Sequence, residues 1–346
     1  VSTSHRSRSP RFALAGRIMR WLPAPLLRAV MHRRADGKGA PMPPFHDLVA
    51  FLEAMGPAAE RVMSRNDGID LRTRFPELAA VSHRPLRIGP AEVPARVYRN
   101  PDVPARAALV WVHGGAYVSG SLDMHESDWV ASALAGRGIP VLALDYRKAL
   151  HGVRYPVPRD DVLAGWHWAV EHSEEALGVA PDALHLGGAS AGGNLAASAT
   201  RYLLEHGAPP PRSLALAYAT LHGSVPAWEP AALAAVREAT HGTCFEPDWL
   251  TDKNLHYAGK DHFDDPAAFP GEGEPLPGHP PTLLVNCEND TVRPSAERFA
   301  QQLAAAGVPC GEHLLSGASH GSLDRPTAPD GQEALALIEG WITAHS

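Results

Sequence analysis

Seven short apolar runs, at 95–98, 108–112, 141–144, 184–186, 214–218, 282–286 and 312–315, recur between stretches with helical periodicity. Runs this short are strand-sized, and those at 108–112, 141–144 and 214–218, apolar throughout, suit strands covered on both faces. The segments 127–135, 159–175, 191–205 and 294–306 are long enough for crossover helices, and 333–344 follows as a last one. Parallel neighbours need such crossovers, whereas antiparallel ones are joined by tight turns. The alternation therefore predicts an α/β fold with a mostly parallel central sheet flanked by helices.

Two segments break the rhythm. Residues 1–80 read as helical and proline-punctuated, and 222–278 separates two strands by far more than one crossover requires. Long insertions beside strand ends are usually functional. The expected organisation is a set of N-terminal cap helices at 1–80, a core made of 81–221 with 279–346, and a cap insertion at 222–278. With 346 residues, 45% of them hydrophobic, one large core is expected rather than two independent domains.

A formal charge of −7 and the lack of a basic stripe argue against a nucleic-acid partner. Cys244, Cys287 and Cys310 are odd in number and irregularly spaced, which fits a reducing compartment better than a disulfide framework. The arginine-rich N-terminal stretch resembles amphipathic helix at 17–22 and 26–31; Arg17, Arg20 and Arg28 interrupt every apolar run, so neither a signal peptide nor stable membrane insertion is expected. The expectation is a cytoplasmic protein, with a homodimer left open.

Ser190 lies in Gly188-Ala189-Ser190-Ala191-Gly192, between an apolar run and a small-residue helix. A strand, a very tight turn and a helix would lift its hydroxyl above the sheet edge, and side chains at the flanking glycines would obstruct such a turn. The five-residue pattern alone is weak, since chance supplies it in about one chain in ten of this length. Gly317-Ala318-Ser319-His320-Gly321 fits it too, but Pro326, Pro329 and Gly331 follow closely and too few acids and bases remain beyond it. Ser319 is therefore read as a bystander.

A nucleophilic serine needs a base, an acid to orient that base, and donors for the oxyanion. His320, in a turn after the run ending at Leu315, is the expected base. Asp290, after the run 282–286, is the expected acid, with Glu288 as its rival. His113-Gly114-Gly115-Ala116 follows the run 108–112, where backbone N–H groups can approach a substrate closely. Gly114, Gly115 and Ala116, with Ala191 at the helix start, form the expected oxyanion hole; a plain glycine turn is the alternative. His185, Trp166 and Trp168 read as core residues, and Asp145 and Tyr146 as structural ones.

Taken together, His113-Gly114-Gly115, Asp145-Tyr146-Arg147, Tyr155-Pro156-Val157-Pro158 leading into Asp160-Asp161, Gly188 to Gly193, Asp290 and His320 resemble the hormone-sensitive-lipase-like branch of the α/β hydrolases. The order Ser190, Asp290, His320 is that fold's nucleophile-acid-base order. The resemblance runs from about Ala107 onward and implies a bacterial-type carboxylesterase hydrolysing acyl esters, and the expected lid points to a small or medium acyl ester cleaved through the Ser-His-Asp triad. It implies no cofactor and no metal, and a cap assembled from an N-terminal helical segment and an insertion. The chain departs from the pattern at Ala116, where the family has a third glycine, and at Ala189, where it commonly has an acid. Acyl transfer, lactone chemistry or deacylation on the same triad stays open, as does a non-catalytic small-molecule-binding protein.

Overall fold

The computed structural model describes residues 42–56 and 70–346. Within them β1 (Ser82–Ile88), β2 (Val93–Arg99), β3 (Ala108–Val112), β4 (Val141–Leu144), β5 (Leu184–Ala189), β6 (Leu214–Ala217), β7 (Thr282–Asn289) and β8 (Cys310–Ser319) form one sheet. The strand order is β1-β2-β4-β3-β5-β6-β7-β8. Pairings from β4 through β8 are parallel, while β1 and β2 are antiparallel to each other and β2 is antiparallel to β4.

The helices are α1 (Phe45–Met55), α2 (Leu71–Arg74), α3 (His125–Gly136), α4 (Val157–Glu171), α5 (Ala191–Glu205), α6 (Pro230–Ala239), α7 (Pro247–Ala258), α8 (Arg293–Ala305) and α9 (Pro329–Ala344). Successive strand residues point to opposite faces, so each central strand feeds two apolar layers. Ala108, Val110 and Val112 of β3 join a cluster with α4, α5 and α8, whereas Leu109 and Trp111 join one with α3 and α9. Burying each such Val or Leu stabilises the fold by about 1.5–3 kcal/mol. His185, Trp166 and Trp168 belong to this packing: His185 is buried with Nδ1 2.8 Å from the Ser213 hydroxyl, and burial lowers its pKa to about 4.

The edge strand β1 escaped the sequence reading. Its residues Ser82-His83-Arg84-Pro85-Leu86-Arg87-Ile88 bury only Ile88, so no apolar run marks it. Pairing with β2 makes it a strand, and proline and charge are tolerated because the other side of an edge has no ladder to complete.

Residues 45–55 and 70–80, both expected within the cap, go to different places. Phe45 of α1 packs its ring 5.0 Å from Trp249 and 5.6 Å from His256 of α7. Leu71, Phe75 and Leu78 instead pack with Trp129 of α3, on the sheet's other side, because an apolar surface there needs cover. The expected helical pieces at 17–22 and 26–31 lie outside the described residues.

The join between β3 and α5 leaves no room for a side chain. A Cβ on Gly192 would fall 2.2 Å from the Val112 carbonyl oxygen and 2.3 Å from that of His113. These are backbone atoms that move only if the strand moves. Gly192→Ala is expected to cost about 3 kcal/mol or more, read as a lower urea midpoint at unchanged slope. Gly340→Ala in α9 is the control, since a Cβ there meets open space and gains up to about 1 kcal/mol of helix propensity.

Candidate active site

Ser190 sits between the end of β5 and the start of α5 with φ 52° and ψ −119°. A non-glycine residue held there costs on the order of 1–3 kcal/mol. The strain is held by Ser190 N–H donating to the Ala217 carbonyl at 2.8 Å and by close packing around Gly188, where a Cβ would meet the Val112 oxygen at 2.6 Å. The hydroxyl therefore stands clear of the helix and makes no capping bond to it.

His320 follows β8 directly and Asp290 follows β7 directly. These strands are neighbours, paired at Asn289 and Ser319, so the two side chains emerge side by side. His320 Nε2 lies 3.0 Å from Ser190 Oγ, and Nδ1 lies 2.6 Å from Asp290 Oδ2. The other Asp290 oxygen accepts the Val292 N–H at 3.0 Å. Glu288, the rival acid, turns outward: the Gly317 N–H at 2.6 Å and the Ser316 hydroxyl hold its carboxyl below the usual range. Ser319 ends β8, and a short 3₁₀ turn at Ser322–Asp324 follows where the second serine pattern would need a helix.

Gly115, Ala116 and Ala191 have backbone N–H groups that find no acceptor among the described residues. Gly114, expected in the same set, does not: its N–H donates to Glu126 Oε1 at 2.5 Å. It anchors the loop, leaving three amides rather than four. Gly115 has φ 112°, and a Cβ there would strike the Ser119 oxygen at 2.1 Å. Ala116 adopts φ 55°, a left-handed conformation costing about 1–2 kcal/mol that the third glycine of the family pattern would avoid.

The support beneath the loop is extensive. Tyr146 donates its hydroxyl to the Gly114 carbonyl at 3.0 Å, and His113 Nδ1 lies 2.6 Å from the same oxygen. Burial disfavours charge on His113, so Nδ1–H is the donor there. Its Nε2 lies 3.1 Å from Asp145 Oδ1 and 3.3 Å from the Lys148 ammonium, which also donates to Asp145 and so stands between the two acceptors. Burial would raise the Asp145 carboxyl, but the Lys148 ammonium more than offsets it and holds it well below the usual range. Glu126 accepts a second bond from Tyr218 at 2.6 Å, and its own N–H donates to Asp324. Burial, then the neighbouring Asp324 carboxyl, pushes Glu126 up to about 8.

A cavity of about 230 Å³ opens over Ser190 and His320. Its walls are mainly apolar, from Leu48 of α1, Phe245, Trp249 and Leu250 at α7, and Val292. Among the described residues no cluster of three or more His, Cys, Asp or Glu could hold a metal ion, and no helix is long and apolar enough to cross a membrane.

Such a sheet, with a serine lifted on the β5–α5 turn and an imidazole beside it, defines an α/β hydrolase. A family model described as the α/β hydrolase fold matches residues 109–324, and the chain belongs to that family. It is similar to the ethyl acetate hydrolase of Pseudomonas putida, at 33% identity covering 73% of this chain and 79% of the relative. Esterase LipI of Mycobacterium tuberculosis is 29% identical, covering 80% and 84%. A crystal structure of an esterase from the bacterial hormone-sensitive lipase family shares the fold, with a TM-score of 0.68 at 22% identity over 100% of this chain and 99% of that one.

Proposed function

We propose that the protein hydrolyses carboxylic esters of small or medium acyl compounds through an acyl-enzyme on Ser190. The observation that carries this reading is the unbroken chain Asp290–His320–Ser190, at 2.6 and 3.0 Å, beside three amides that have no acceptor among the described residues. Ser190 Oγ attacks the acyl carbon as its proton passes to His320 Nε2, while Asp290 keeps Nδ1 protonated and oriented. The carbonyl oxygen, now an oxyanion, takes the N–H groups of Gly115, Ala116 and Ala191. Collapse breaks the bond to the alcohol oxygen, which receives the proton from His320. A water repeats the sequence, leaving its hydrogen on His320 and its oxygen in the released acid, and Ser190 recovers its proton.

The names of the relatives, an ethyl acetate hydrolase and an esterase, favour the same chemistry. In this reading α1 and the segment 222–278 act as a cap over a core made of 81–221 and 279–346. Their apolar side chains limit water and exclude polymeric substrates from so small a cavity. The test is a panel of nitrophenyl esters in ¹⁸O-labelled water, with fluorophosphonate labelling mapped by mass spectrometry. Singly labelled acid and a modified Ser190 are expected. Transfer products in place of the acid, or an unlabelled Ser190 in an inactive protein, would overturn the proposal.

A further inference from the structure

One group in the cavity has no part in that mechanism. Lys253 projects from α7 into the pocket that Ser190 and His320 line, and is only 3% exposed. Its ammonium donates to the Thr220 hydroxyl at 3.0 Å and stands 5.5 Å from the centre of the Tyr117 ring. Among the described residues it makes no ion pair, and two of its three N–H donors have no acceptor. Burying a cation without an ionic partner is costly, and lysine is rarely buried unless paired.

The three acids closest to this chemistry are already engaged. Asp290 is held by His320 and Val292, Glu126 by Gly114 and Tyr218, and Asp324 by the Glu126 N–H. Burial also raises the Glu126 and Asp324 carboxyls toward their neutral forms. An anion entering the cavity therefore meets the Lys253 cation, with Asp290, already held by His320 and Val292, as the opposing charge.

We infer that Lys253 is a specificity-determining residue, receiving a carboxylate carried by the ester substrate itself. The inference rests on the ester-hydrolase reading above and refines its substrate class. A carboxylate suits the site because a single ammonium with two free donors can match one planar monoanion. A phosphate dianion calls for several converging donors, typically arginines. Burial lowers the Lys253 amine to about 7, with Asp290 pulling the other way; a bound carboxylate would restore its charge.

The test compares kcat/KM for ester pairs that differ only by a terminal carboxylate. One series sets phenyl monoesters of four- to six-carbon diacids against phenyl esters of the matching monoacids. The other sets butyryl esters of short hydroxy acids against butyryl esters of the matching simple alcohols. In at least one series, Lys253→Met is expected to lower the carboxylate-to-neutral ratio by about 10- to 100-fold, the range of a hydrogen bond to a charged group, while Lys253→Arg keeps most of it. Each ratio is taken within one protein, so altered folding or expression cancels. Equal ratios in wild type and Lys253→Met across both series would overturn the inference. Continued turnover of the neutral esters would then leave the hydrolase reading standing, whereas loss of all turnover in the wild type would remove both.

Discussion

Ser190→Ala is expected to lower kcat for ester hydrolysis by about 10⁶-fold while leaving the unfolding midpoint nearly unchanged. The substitution removes one oxygen whose hydrogen bond goes to His320 Nε2. It removes no helix cap, because the serine side chain makes none, and the backbone bond from Ser190 N–H to Ala217 stays. The His320 side chain is 21% exposed, so water can reach the nitrogen the change leaves bare. What disappears is the covalent route. The oxyanion amides remain and can still polarise a bound ester, so a residue of about 10³- to 10⁴-fold over the uncatalysed reaction should survive. Because hydroxyl and imidazole work as one unit, Ser190→Ala with His320→Ala should be no slower than either alone. Burst and steady-state kinetics on a nitrophenyl ester read both results, and a single variant retaining a hundredth of the wild-type rate would remove Ser190 from the mechanism.

The central strands were legible because burial on both faces writes them as continuous apolar runs. β3, expected at 108–112, forms at Ala108–Val112, and β4 forms at Val141–Leu144 as expected. β1 was not legible, since an edge strand shows most of its side chains to water and Arg84, Pro85 and Arg87 read as loop. The same distinction governs the site. Ser190, Asp290 and His320 stand out in the sequence because each comes within a few residues after an apolar run, which is where strand ends put chemistry.

Groups on helices gave no such signal. Glu126 opens α3, where an acid looks like an ordinary partner for the helix dipole; only the fold shows it reaching Gly114 and Tyr218. Lys253 occupies an unremarkable position in a polar helix of the insertion, and its burial depends on how α7 meets the core. Gly114 departs from the expectation for a related reason: the glycine pattern marks amides that are free of side-chain crowding, but which of them already has an acceptor depends on Glu126, twelve residues away.

The choice between the two acids yields the second large effect. Asp290→Asn is expected to lower kcat by about 10⁴-fold with little change in fold, as asparagine has nearly the same shape. Asp290 uses both oxygens, one on His320 Nδ1 and one on the Val292 N–H, and is 1% exposed, so water cannot stand in. Asparagine has a single oxygen. If it stays on Val292, the amide NH₂ faces Nδ1 and drives the imidazole proton to Nε2, where it opposes the Ser190 hydroxyl instead of accepting its proton. If the side chain flips, two N–H donors confront each other at Val292 in a buried site. The first arrangement is the milder one, and it disables the base. The rate of fluorophosphonate labelling at Ser190 should therefore fall in step with kcat, while KM for a neutral ester stays within a few-fold. Glu288→Gln, whose side-chain hydrogen bonds among the described residues go to the Ser316–Gly317 turn, should change kcat by less than about 2-fold, since surface substitutions of this kind have small effects. A reversed pattern, with Glu288→Gln crippled and Asp290→Asn active, would transfer the orienting role to Glu288 and require the β7–β8 end to rearrange in solution.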